Sequence, residues 1–395
     1  MKHILIYATI LNILLFFSCS KEERPDYTDA KAPAPAQISD VLVKATPGGA
    51  LVTYQIPKDP NLSFVKAVYE TQQGVVHETT ASRFTDTLKL DGFGDTDDHE
   101  VNIFSVGKNG KSSNPITITV RPLTPPVVSV FQNLELSATF GGINVSFINE
   151  SEANLALVVI ADTTGKNTWA EINTFYTGAN EGKFSIRGYD PDEMNFAVYV
   201  RDRWQNKSDT LVKALTPLFE EPIPTDKFAE VRLPTDTWQP AEPIYPISNL
   251  WDTDIDWYGL FSSSNNSTLP QWFTIDLGRN VVISRFKAHQ VSNLFLYSGS
   301  AVKTFELWGS NNPDPDGGWN NWTKLGDFKS FKPSGLPLGQ TNDDDKNYGH
   351  FNGEDFELEN STLPFRYIRF KTLETYGSSG QVVISELSFW GQVID

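Results

Sequence analysis

Three carboxylates stand at alternate positions in the run Asn249-Leu250-Trp251-Asp252-Thr253-Asp254-Ile255-Asp256. Carboxylate oxygens so closely spaced are donors that a hard cation such as Ca2+ accepts, although Ca2+ wants about six to eight oxygens in all. The alternative is a solvated acidic loop. Trp257 and Tyr258 follow directly, and Phe295, Tyr297 and Tyr376 also stand among Ser, Asn and Gly. Rings set among amides and hydroxyls suit sugars, whose C–H faces stack on a ring while their hydroxyls meet side-chain donors and acceptors. Ordinary loop packing is the alternative for each ring. Cys19 is the only cysteine. That count excludes cysteine catalysis and multi-cysteine zinc sites.

Cys19 is placed for a different chemistry. Met1-Lys2-His3 is a short basic start, and Ile4 to Phe17 is an apolar run broken only by Thr9 and Asn12. The run is about 14 residues, short of the roughly 20 that a membrane span needs, so it reads as a secretory signal. Phe16-Phe17-Ser18-Cys19 resembles the lipobox of signal peptidase II substrates, with Phe16 where Leu is usual. The resemblance implies removal of residues 1–18 and acylation of Cys19. Ser20-Lys21-Glu22-Glu23 is similar to the signal that sends Bacteroidetes lipoproteins to the outer surface. It implies an outer-membrane protein, lipid-anchored and facing the exterior. Residues 19–35 are charged, then Ala/Pro-rich, and read as a semi-extended tether.

The chain has 395 residues and a formal net charge of -17. An acidic protein is repelled by nucleic acid and anionic lipid, which argues against both as partners. With Cys19 acylated no thiol remains, so folded units must be held by their cores alone. The 26 Phe, 13 Tyr and 10 Trp are enough for several β cores. No Gly-x-Ser-x-Gly elbow, His-Glu-x-x-His helix or phosphate loop occurs, and the length is taken up by β modules. The chain is therefore expected not to be an enzyme.

The elements that must position these groups are short and alternating. In residues 36–122, Ala50–Ile56, Phe64–Tyr69, Asp86–Leu90 and His99–Val106 read as strands with Gly- and Pro-rich turns between them. A Pro-rich hinge follows at Pro122–Pro126. In residues 126–216, Leu134–Phe140, Gly142–Phe147, Leu155–Ile160 and Asn195–Asp202 are the clearest strands. Val101–Ser112 lines up with Phe196–Ser208: an alternating strand, a polar turn, then a Ser before the last strand. Both resemble the end of a fibronectin type III module, which implies two spacer sandwiches of the immunoglobulin kind.

Residues 225–395 carry more specific blocks. These are Trp272-Phe273-Thr274-Ile275-Asp276-Leu277-Gly278, Phe305-Glu306-Leu307-Trp308-Gly309-Ser310, Arg366-Tyr367-Ile368-Arg369 and Glu386-Leu387-Ser388-Phe389-Trp390-Gly391. Their order resembles the discoidin domain of coagulation factors and galactose-binding modules. The expected fold is thus all-β: two fibronectin-like sandwiches followed by an eight-stranded jelly roll with ligand loops at one end. By the same resemblance Glu386 completes a calcium cage with Asp252 and Asp254, although Thr253 stands where the family has Gly. His289 and Gln290 fall where the family places polar sugar contacts, and Trp257, Tyr258, Phe295, Tyr297 and Tyr376 fall in the converging loops. The implied function is non-catalytic surface binding of polysaccharide or oligosaccharide, beside other glycan-uptake proteins. The alternative is an adhesin or scaffold that binds protein.

Overall fold

The computed structural model describes residues 29–72, 74–256, 259–292, 295–358 and 363–394. The signal segment, Cys19 and most of the tether lie outside them. The protein is all-β. Contacts divide it into two compact units, one of the chain up to Leu136 with Val145–Phe184 and Met194–Ala214, the other of Ser137–Asn144, Ser185–Glu193 and Leu215–Asp395. Among the described residues no helix is long and apolar enough to cross a membrane.

The first sandwich sets a three-stranded sheet, Ser39–Thr46, Gly49–Gln55 and Thr87–Asp91, against a four-stranded one, Val75–Ser82, Leu62–Gln72, His99–Gly107 and Ile116–Val120. Its core takes alternate residues of these strands, among them Val52, Tyr54, Val65, Ala67, Leu88, Leu90, Val101 and Ile103. The middle sandwich has the sheet Trp169–Thr177, Leu155–Asp162, Met194–Asp202, Lys207–Leu215 and the sheet Glu181–Arg187, Gly142–Ile148, Glu135–Thr139.

The two sandwiches repeat each other in hydrogen bonds as well as in pattern. Gly48 O accepts from the N–H groups of Gly92 and Phe93, and Gly141 O accepts from those of Gly188 and Tyr189. Ser113 Oγ accepts from Ser105 N at 3.0 Å, and Ser208 Oγ accepts from Val200 N at 2.8 Å. The serine matching Ser208 is therefore Ser113, one residue beyond the expected Ser112. The expected hinge at Pro122–Pro126 and the Pro-rich stretch Pro217–Pro224 are both tied down in the same way. Leu123 N donates to Thr46 O and Leu123 O accepts from Gly48 N, while Leu218 N donates to Thr139 O and Leu218 O accepts from Gly141 N. Pro126 opens a short helix, Pro126–Gln132, where its missing N–H costs nothing.

In the second unit the long strand Gln271–His289 is the spine. Its first half pairs with Phe365–Thr375 and Ala229–Val231, its second half with Glu386–Ile394 and Glu354–Glu357. The register breaks between Asp276 and Val281, where Gly278 has φ +67. A Cβ there would lie 2.4 Å from Lys227 Cβ, so the bend takes glycine. Val302–Ser310 and Thr323–Lys329 extend the sheet beyond Phe365–Thr375. Phe273, Ile275, Leu277, Phe305, Leu307, Ile368 and Phe370 point into one core, as their alternation implies. Rings of Phe273 and Phe370 stack with centroids 5.4 Å apart, and Phe305 and Phe370 at 4.6 Å. Each such buried side chain contributes about 1.5–3 kcal/mol of transfer free energy.

The other face of the same strands is also covered. Thr274, which alternates with the core residues Phe273 and Ile275, is 0% exposed. Arg369 and Asp236 are ion-paired at 3.3 Å beside it, both side chains 0% exposed. The Arg369 guanidinium lies between the Trp319 ring at 4.3 Å and the Trp322 ring at 4.4 Å. The segment Asp314 to Trp322, acidic and Trp-rich in sequence, is thus a cover that closes over a buried cation.

Candidate functional site

The turn after the helical segment Ile247–Trp251 brings the acidic residues together. Asp252 Oδ1 accepts from Asp254 N at 2.8 Å, and Asp254 Oδ1 accepts from Asp256 N at 2.9 Å. Thr253 sits at φ +68, the left-handed conformation that explains the glycine expected there. Strand Glu386–Ile394 starts directly beneath. Glu386 is 3% exposed, and its Oε2 accepts from Thr253 N at 3.2 Å. Burial, helped by the charges of Asp252 and Asp254, pushes its carboxyl up to about 8 against the pull of backbone N–H groups. Burial raises Asp252 as well. No basic side chain is among the groups that shift Glu386. A buried carboxylate facing two others calls for a proton or a cation, so the chemistry of the donors fits Ca2+. Among the described residues no three acidic, His or Cys side chains are yet gathered closely enough to form a cage.

Several residues expected to face a ligand are placed elsewhere. Trp257 and Tyr258 lie outside the described residues. Gln290 is 7% exposed, and its amide donates to Glu354 Oε1 at 2.9 Å and to Val302 O and Ser330 Oγ at 3.3 Å. Tyr297 is 0% exposed and packs edge-on against Tyr376 with centroids 5.5 Å apart. Burial raises the pKa of both phenols, that of Tyr376 to about 12. Tyr376 is half-buried, and its hydroxyl meets Ser330 Oγ at 3.1 Å. His289 is half-buried and donates from Nδ1 to His350 O at 2.7 Å. Burial lowers its pKa, so it stays neutral at physiological pH.

These corrections have one physical cause. The excursion from Ser330 to Glu354 carries two buried carboxylates that must be satisfied. Glu354, 1% exposed, accepts from Ser330 Oγ at 2.6 Å, Phe331 N at 2.8 Å and Gln290. Asp345, 0% exposed, accepts from Ser334 Oγ at 2.7 Å and closes a capping box with Asn342. Asp343 to Asp345 starts a helical segment that plugs this side of the domain, with Asp343 and Asp344 exposed and Asp345 buried. Gln290, Tyr297 and Tyr376 belong to the plug's seat.

What the loop end presents is a smaller surface. Phe295 and Tyr245, both half-buried, pack on a satellite cluster of Leu260, Val291 and Val383. Around it runs a hydroxyl and amide network. Gln381 Nε2 donates to Ser262 Oγ at 3.0 Å, Ser300 Oγ donates to Gln381 Oε1 at 2.9 Å, and Ser263 Oγ accepts from Val382 N at 2.8 Å. Tyr245 was not singled out in the sequence. It precedes the acidic turn, in a Pro-rich stretch without periodicity, and its only signal was an aromatic residue between two prolines.

Comparison with known proteins gives the following. Residues 35–122, 123–226 and 251–391 match the families DUF4959, DUF5126 and DUF5000, each described as a domain of unknown function. No curated protein matches the chain. The family 32 carbohydrate-binding module of C. perfringens NanJ, solved with galactose, is 14% identical over 43% of this chain and 98% of that one, with a TM-score of 0.31. The C-terminal domain of a Bacteroides fragilis chitobiase is 16% identical over 44% of this chain and 100% of that one, with a TM-score of 0.32. A solved SusE-like protein is 32% identical over 68% of this chain and 100% of that one, with a TM-score of 0.45. At that identity, along the whole of the relative, the chain belongs to the family of this SusE-like protein.

Proposed function

We propose that the protein is a non-catalytic glycan-binding lipoprotein of the outer cell surface, acting beside other glycan-uptake proteins, and that the loop end of residues 225–395 takes the sugar. The observation that carries this reading is the pair Tyr245 and Phe295, partly exposed rings packed on the cluster of Leu260, Val291 and Val383 at the loop end. Such rings supply the apolar face a sugar stacks on, and the network that joins buried Ser262 and Ser300 through Gln381 holds the loops that carry them. Kinship with a SusE-like protein supports the surface role. Trp257 and Tyr258 remain candidates from their position after the acidic turn. Asp252, Asp254 and Glu386 would hold Ca2+, whose part is to stiffen the loop end.

A single shallow site of this kind is expected to bind with Kd of about 0.1–1 mM, or about -4 to -5.5 kcal/mol. Many copies on one surface would then hold a polymer by avidity. In isothermal titration against a polysaccharide panel, Tyr245→Ala, Phe295→Ala and Trp257→Ala are each expected to lower affinity roughly 3- to 10-fold at a temperature where the variant remains folded. A panel that gives no binding, or variants that bind as wild type does, rejects the site.

Anchoring is tested separately. Cys19→Ala is expected to release the protein from membranes into the soluble fraction. Alanines at Lys21, Glu22 and Glu23 are expected to leave it anchored but shielded from external protease. An unchanged distribution of both variants counts against the anchor.

A further inference from the structure

The first unit carries a groove that the loop-end reading does not use. A cleft of about 380 Å³ is lined by Phe93, Trp204, Asp91 and Asn154 among others. An open trough of about 510 Å³ continues from it, sharing Asn154, Leu155, Asp202 and Arg203, and reaches Tyr176. The first volume alone lies within the range of roughly 300–1,000 Å³ usual for ligand sites. Tyr176 is 73% exposed, so its ring is offered to solvent at the far end.

The near end is built. Gly92 has φ +101, and a Cβ there would stand 2.8 Å from Trp204 Cδ1, so the indole lies flush against the glycine. Asn206, 6% exposed, donates from Nδ2 to Gly92 O at 3.0 Å and to Asp202 Oδ2 at 2.8 Å. Asp202 in turn accepts from Trp204 N at 2.9 Å. Arg203, exposed, lies over the indole at 4.1 Å, which sets guanidinium donors beside the ring. The groove is charge-balanced. Lys89, Arg201 and Arg203 face Asp91, Glu152 and Asp202, and Lys89 and Asp91 already pair at 3.1 Å. Balance disfavours a highly charged polymer. One open aromatic ring with amides, carboxylates and a guanidinium along the same groove suits a neutral chain of hydroxyl-bearing rings.

We propose that this groove is a second glycan site, holding an extended neutral oligosaccharide with Tyr176 as its stacking ring and Arg203, laid over the Trp204 indole, as its guanidinium donor. The ligand class rests on the function proposed above; the site does not overlap the loop end. A polymer gripped at two places on one chain dissociates more slowly than from either alone.

The test titrates the full chain with soluble neutral polysaccharides, namely an α-glucan, a β-glucan, a xylan, a mannan and a galactan. Tyr176→Ala is the primary variant, because a ring so exposed can be removed without disturbing packing. Arg203→Ala, also an exposed side chain, is the second. Each is expected to weaken the bound polysaccharide roughly 3- to 10-fold. If both bind as wild type does while Tyr245→Ala and Phe295→Ala weaken, the groove proposal is overturned and the loop-end reading stands. If Tyr176→Ala weakens binding and the loop-end variants do not, the groove stands and the loop end falls. Absence of binding by the wild type to every polymer overturns both.

Discussion

Arg369→Met is expected to destabilise the C-terminal sandwich by about 3–5 kcal/mol, the usual cost of removing one partner of a buried ion pair. Arg369 and Asp236 side chains are both 0% exposed. Methionine keeps much of the volume but strands the Asp236 carboxylate, which burial already raises although Arg369 and Arg232 pull it down. The change also removes the cation between Trp319 and Trp322 and the Nε donor to Thr274 Oγ1 at 3.3 Å. Urea unfolding of the full chain, followed through the transition that loses tryptophan burial, reads the loss directly. The double variant Arg369→Met/Asp236→Leu is expected to recover most of it, because an apolar pair of similar size carries no desolvation penalty. A single-variant loss under about 1 kcal/mol would show that the pair is hydrated and that the tryptophan cover is open.

Much of this architecture could be read from alternation. Phe273, Ile275 and Leu277 recur every second residue, and their inward face is the core. The central strands of both smaller sandwiches were legible for the same reason. Edge strands such as Val75–Ser82 and Lys207–Leu215 were not, because most of their residues are exposed or half-buried and leave little apolar period. The slip between Ser112 and Ser113 has a related origin: the turn from Gly107 to Lys111 is closed by the bond Gly107 N to Lys111 O. Nothing in residue types counts the residues of such a turn. Second faces were harder still. Thr274 looks solvent-facing in its strand, and only the distant Asp236, Arg369 and Trp322 bury it. The seat of the plug fails in the same way. Gln290 and Tyr297 are buried by Glu354, His350 and Gly349, more than 50 residues further along. The acidic turn was legible because its carboxylates are neighbours in sequence. Its buried partner Glu386 came only from resemblance to a family.

Glu386 makes the second large effect one of pH. Its carboxyl stands at about 8 in the folded protein, against an ordinary value of 4.5. Folding therefore favours the protonated form. The stability it contributes is fully present below about pH 4.5, shrinks as pH climbs between the two values, and is gone above about 8. The span is worth on the order of 5 kcal/mol for a carboxyl this buried. After treatment with a chelator, the melting temperature of the C-terminal transition is expected to fall between pH 5 and pH 8. Glu386→Gln, whose amide imitates the protonated acid, is expected to flatten that fall. Parallel wild-type and variant profiles would show that Glu386 does not titrate in this window. A bound Ca2+ would do the proton's work, since it neutralises the same oxygens together with those of Asp252 and Asp254. Added Ca2+ is thus expected to stabilise strongly at pH 8 and weakly at pH 5, where it must displace a proton. Asp254→Ala and Glu386→Gln are both expected to abolish the Ca2+ effect, and only the second to abolish the metal-free pH dependence. A pH effect without any response to millimolar Ca2+ would leave the buried acid in place and reduce the turn to a solvated loop, so the two readings separate in one set of melts.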